Sequence, residues 1–132
     1  MKPRRIDFDG AVTKREVIER VLGTRLSEAF DLAPALAGRD RQALHDFRIA
    51  CKRLRYALEC FTNGESEFDR AAERLACVQD ALGAVHDRDV LLTILPPNMP
   101  ETERRLMEER EEFLDRAAAE WNAVAPALRN GS

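Results

Sequence analysis

Apolar residues recur along this chain at steps of three and four, in four separate runs. That spacing lays one stripe of side chains along one face of an α-helix. The first run is Ile18, Leu22, Leu26, Ala29, Ala33 and Leu36. It opens behind Thr13 and Glu16, a T-x-x-E capping box that predicts a helix start at Thr13. Pro34 is expected to tighten or end that helix, and Gly38 to stop it. The second run, Leu44, Phe47, Cys51, Leu54, Leu58 and Phe61, follows Asp40 as N-cap and ends at Asn63-Gly64.

The third run starts after Ser66 and reads Ala71, Leu75, Val78, Leu82, Val85, Asp89 and Leu92, up to Pro96-Pro97. One position of that stripe is an aspartate. The fourth run starts at Pro100 and reads Leu106, Arg110, Phe113, Ala117, Trp121 and Val124, widened by Met107, Leu114 and Ala118. Pro126 is expected to close it, leaving residues 130–132 as a frayed end. Short connections make neighbouring helices antiparallel. The expected fold is therefore all-α, an antiparallel four-helix bundle over residues 13–128, with residues 1–12 as an N-terminal extension.

Composition agrees. A chain of 132 residues has length for one domain. Hydrophobic residues at 45% and charged residues at 34% suit a globule and exclude a disordered chain. Aromatics at 6%, with six Gly and six Pro, argue against a β-sandwich or barrel and its many turns. Cys51, Cys60 and Cys77 are odd in number and form no CxxC, so neither a disulfide framework nor a zinc ribbon is expected, and all three read as buried reduced thiols. No apolar run nears the roughly 20 residues of a membrane span. Residues 1–10 carry charges and no apolar stretch, which does not read as a secretory signal, so the expected compartment is the cytoplasm. GxGxxG, GxxxxGK[ST] and HExxH are all absent, and no cofactor or metal is expected.

The net charge is −3 and predicts no anionic partner by itself. Its distribution does. Between residues 39 and 55 stand six basic residues (Arg39, Arg41, Arg48, Lys52, Arg53, Arg55) against two acids, Asp40 and Asp46. Residues 101–120 hold eight acids and four arginines, read as a solvated face with pairs such as Glu101–Arg105. On a helical wheel Arg41, His45, Arg48, Lys52 and Arg55 fall within about 80° of one another, flush against the apolar seam. Arg53 points away, about 80° beyond His45 on the far side. Between Arg41 and Arg55 the edge holds no acid, and like charges at steps of three and four cost a few tenths of a kcal/mol per pair. Carboxylates from another helix would neutralise it, or a bound polyanion would; the anion-binding face is the stronger expectation. Asp89, on a buried stripe, needs a cationic partner, and the arginines of this edge are the candidates. Asp87 falls off the seam, and His86 lies beside it.

The segment His45-Asp46-Phe47-Arg48-Ile49-Ala50-Cys51-Lys52-Arg53-Leu54-Arg55 resembles the signature of the CHAD family, helical domains with a characteristic histidine. Its pattern is His-x-x-Arg-(Val/Ile)-x-x-basic-basic-Leu-Arg. A second family element, Leu-Gly-x-x-basic-Asp-x-Asp-Val, resembles Leu82-Gly83-Ala84-Val85-His86-Asp87-Arg88-Asp89-Val90. The resemblance implies a helical bundle that binds inorganic polyphosphate on a basic surface without catalysis, in the cytoplasm and at polyphosphate granules. It places the basic positions on His45, Arg48, Lys52, Arg53 and Arg55. It makes Asp87 and Asp89 the acids that orient the arginines. His86 stands where arginine is usual, which makes any anion contact there depend on protonation, since an imidazole's ordinary pKa is about 6.5. Many members hold two four-helix units. This chain has length for one, half of the two-bundle arrangement, and a homodimer would restore the pair.

Two other classes compete. His45-Asp46 and His86-Asp87 superficially resemble the dipeptides of metal-dependent HD phosphohydrolases, but only two histidines exist, and cations flank His45. A helical protein-interaction module is the other. Nucleic acid is not the expected partner, because Tyr56 is the one aromatic near the basic edge.

Overall fold

The computed structural model describes residues 1–38, 40–61 and 66–130. It is all-α among them, with four α-helices: α1 (Lys14–Leu32), α2 (Arg41–Phe61), α3 (Ser66–Ile94) and α4 (Pro100–Asn130). A 3₁₀ turn, Ala33–Ala37, continues α1 with Pro34 in its first turn. Thus Pro34 tightens the chain instead of breaking it, and Gly38 caps the turn. Asn63-Gly64 and residues 131–132 lie outside the described residues.

Local chemistry sets the helix starts. Thr13 Oγ1 accepts from the Glu16 N–H at 3.1 Å, and Glu16 Oε2 accepts from the Val12 N–H at 2.8 Å. Asp40 Oδ1 accepts from the N–H of Gln42 at 2.9 Å, so the expected N-cap of α2 is formed. The third helix includes Ser66 rather than starting after it. It ends at Ile94, two residues ahead of Pro96, as a proline disfavours helical geometry before it.

The core sits where the stripes meet. Phe47, Cys51 and Leu54 of α2, with Leu75, Val78 and Val85 of α3, are almost wholly buried. Each such apolar side chain contributes about 1.5–3 kcal/mol. The third helix is central, packed against α2 on one side and α4 on the other, while α1 packs mainly on α2. Trp121 ties the remaining side together, edge-on to Phe47 (5.1 Å) and to Phe30 (5.2 Å). Because α4 touches α1 at its Phe30 end, the earlier stripe residues Ile18, Leu22 and Leu26 stay half-buried.

Four expectations need correction. The fourth helix does not close at Pro126 but runs through it to Asn130. An interior proline removes one backbone bond and costs about 3 kcal/mol. Tertiary contacts carry the last turn regardless, since Leu128 is buried and the Arg129 guanidinium lies 4.7 Å over the Phe30 ring. Met107, read as widening the fourth stripe, is half-exposed. Only Cys51 of the three thiols is buried. Among the described residues Glu101 and Arg105 do not pair; α4 sends its acids to α3 instead, Glu109 to Arg88 (3.0 Å) and Glu120 to Arg74 (3.7 Å).

Among the described residues no helix is long and apolar enough to cross a membrane. The N-terminal segment lies along α1. The Arg4 N–H donates to buried Glu28 (2.8 Å), the Arg4 side chain pairs with Asp31 (2.8 Å), and Arg20 donates to the Asp7 carbonyl (3.3 Å).

Candidate functional site

The basic edge of α2 lies against α3. The rings of His45 and His86 stand 5.7 Å apart, tilted by 33°. One turn along, Arg48 lies over Gly83: a Cβ there would meet its Nη2 at 3.5 Å, Nε at 3.7 Å and Cζ at 3.9 Å. The glycine lets the guanidinium rest against the α3 backbone, and any side chain larger than alanine would displace it. These two contacts fix an antiparallel register. Extending it one more turn sets Gln79 level with Lys52, and Ala76 level with Arg55. The groove therefore has a cationic wall, His45, Arg48, Lys52 and Arg55, and a neutral floor on α3.

The cations of this wall are poorly matched inside the protein. Arg48 is the one half-buried arginine, among the described residues, with neither a hydrogen bond nor an ion pair, and its buried Nε has no partner. Lys52 makes no ion pair among the described residues; its Nζ lies 5.7 Å over the Tyr56 ring. Arg55 lies 5.1 Å over the same ring and pairs with Glu59 at 3.4 Å, a half-exposed contact worth little. His45 Nδ1 is buried without a hydrogen-bond partner. Unpaired buried polar atoms cost about 1–3 kcal/mol each, a cost that a hydrogen-bonding partner at this edge would relieve.

At the end of the groove the arrangement changes. Asp89 is buried and accepts from Arg110 of α4 at 2.5 Å (Nε) and 3.5 Å (Nη2). Arg41 of α2 approaches the same carboxylate at 3.3 Å and donates to Thr93 Oγ1 at 3.4 Å. Asp89 therefore joins three helices, and its tightest partner comes from α4, not from the basic edge. Arg41 is consequently shared with an acid. Asp87 is exposed and, among the described residues, pairs with no arginine. With Glu73 and Asp80 it forms a seven-residue-spaced row of exposed acids on the outer side of α3. These acids bound the groove, so a polyanion would track along α2.

Arg53 is directed elsewhere. It lies 3.8 Å from the wholly buried Glu28 of α1 and donates to the Met1 carbonyl at 2.7 Å. Arg25 closes the same carboxylate. The residues brought together in the groove are thus His45, Arg48, Lys52, Arg55 and His86, with Arg41 at its end and Arg53 on another face.

Arg110, Gln79 and Gly83 add to this site. Arg110 was legible as an arginine on an apolar stripe, the complement of an aspartate on the facing one. Gln79 carried no such signal, since a polar residue one step off a seam reads as solvated.

Among the described residues, no three His, Cys, Asp or Glu side chains are grouped to hold a metal ion. Asp89 is taken by two arginines, and Asp46 holds Gln42 at 3.0 Å.

No curated protein and no solved structure matches the chain. The family model of the CHAD domain matches residues 3–96, a span holding α1 to α3 and so both walls of the groove. With the His45 and Gly83 motifs meeting face to face in that span, the chain belongs to the CHAD domain family.

Proposed function

We propose that this domain binds inorganic polyphosphate along the α2 edge and performs no chemistry on it. The observation that carries the reading is Arg48, half-buried on this edge and lacking any partner among the described residues. A guanidinium held so offers charge-assisted bonds to phosphoryl oxygens, roughly twice as strong as neutral ones. Arg48, Lys52 and Arg55 repeat at a spacing of about 10 Å per seven residues, which suits several contacts to one extended chain. Binding releases counterions, so affinity falls with salt. His45 and His86 add contacts when protonated. Arg41 contributes at the groove's end, Asp89 holds Arg41, and Arg53 serves mainly α1. The cytoplasm and its polyphosphate granules are the place that fits this activity.

Calorimetric titration tests the reading. Long-chain polyphosphate should bind tightly, orthophosphate weakly, and Arg48→Ala/Arg55→Ala should lose at least tenfold, about 1.4 kcal/mol, with helicity intact. Equal binding by the double variant would show the wrong face. Phosphate release on incubation with Mg²⁺ or Mn²⁺ would instead favour a phosphohydrolase.

A further inference from the structure

The α3 side of the groove holds two polar side chains, the exposed His86 and the buried Gln79. Only 9% of Gln79 is exposed, and its Oε1 is buried without a hydrogen-bond partner. On the α3 wheel it falls about 20° from His86 and about 40° from Gly83, the two residues that touch α2. The register places it level with Lys52, between Arg48, which is unpaired, and Arg55, which pairs with the half-exposed Glu59. An unpaired buried acceptor is costly anywhere, and here the register sets it among the cations of the α2 edge.

We propose that Gln79 is the uncharged binding residue of the groove. Its Oε1 accepts a hydrogen bond from a cation of the α2 edge, and its amide N–H donates to a phosphoryl oxygen of the bound chain. The two bonds act in line: the cation polarises the amide, and the amide extends the donor row onto α3 without adding charge. An aspartate or glutamate there would repel the ligand, and an apolar residue would leave His86 as the one donor on the α3 side. The inference rests on the polyphosphate reading and adds an uncharged contact to it.

The chain has two glutamines, Gln42 and Gln79, so their side-chain amide signals in a ¹⁵N–¹H correlation spectrum are separable, and Gln79→Leu assigns them. Titration of the intact protein with long-chain polyphosphate should shift the Gln79 amide pair and leave that of Gln42 in place. Gln79→Leu should bind about fivefold more weakly with the same slope of log affinity against log salt, because a neutral donor releases no counterion. Arg48→Ala should lower both affinity and slope. If the parent binds polyphosphate while the Gln79 amide stays unmoved, or Gln79→Leu binds within twofold of the parent, the inference is wrong and the polyphosphate reading stands. If the parent binds no polyphosphate, both fall. The amide shift is read on the parent protein itself, so a poorly folding variant does not rescue the idea.

Discussion

Asp89 shows how one side chain converts sequence into architecture. It occupies an apolar-stripe position of α3, where a carboxylate is costly to bury alone. Arg110, equally buried on α4, and Arg41 on α2 close around it. Asp89→Ala leaves Arg110 buried without its main counter-charge and should cost about 3 kcal/mol or more of unfolding free energy in urea titrations. The double variant Asp89→Leu/Arg110→Met should recover most of that loss, because replacing a whole buried pair by apolar groups is often neutral. Equal stability of Asp89→Ala and the parent would mean the pair is not buried in solution. Cys51 makes a second case. Burial pushes its thiol well above the ordinary range, so it stays protonated and inert, while Cys60 and Cys77 are exposed. A thiol-reactive dye should therefore label two sites quickly and the third only on unfolding; three fast sites would contradict the packing of α2.

At the scale of elements, the periodic runs made the four helices legible, down to the Thr13 and Asp40 caps, because buried stripes and caps are both short-range signals. The continuation of α4 through Pro126 was not, since it depends on the burial of Leu128 and on Arg129 meeting Phe30 of α1 across the bundle. The basic edge of α2 was readable as a row. Which of its members stay unpaired was not, because Glu28, Arg110 and Gly83 come from three other helices. The acids of α3 follow the same logic. Glu73, Asp80 and Asp87 flank the groove at a distance where each opposes a bound anion weakly, about 0.4 kcal/mol at 10 Å in water. Replacing all three by their amides should tighten polyphosphate binding about fivefold at low salt, and the gain should vanish as salt shortens the screening length. An unchanged affinity at low salt would put the bound chain elsewhere.

At the scale of the whole molecule, the groove is short and one of its walls runs on into apolar surface. Past His86 the same edge of α3 carries Val90 and Ile94, both exposed, and the adjoining corner exposes Leu91, Met99 and Met107. Exposed apolar side chains at one end of a helix pair are available to an interacting partner. A symmetric pair of chains seated on it would cover the corner twice through one self-complementary contact, and would set two cationic edges end to end. The expected homodimer would gain length: two aligned edges would engage a longer phosphate chain than one, through linked contacts that raise affinity without new chemistry. Light scattering should give a mass near twice 15.0 kDa. Val90→Glu/Ile94→Glu should give a monomer that keeps its affinity for short chains and loses at least tenfold for long ones. A parent that remains monomeric both with and without long-chain polyphosphate would end the homodimer proposal, and the single groove would then have to account for all the affinity.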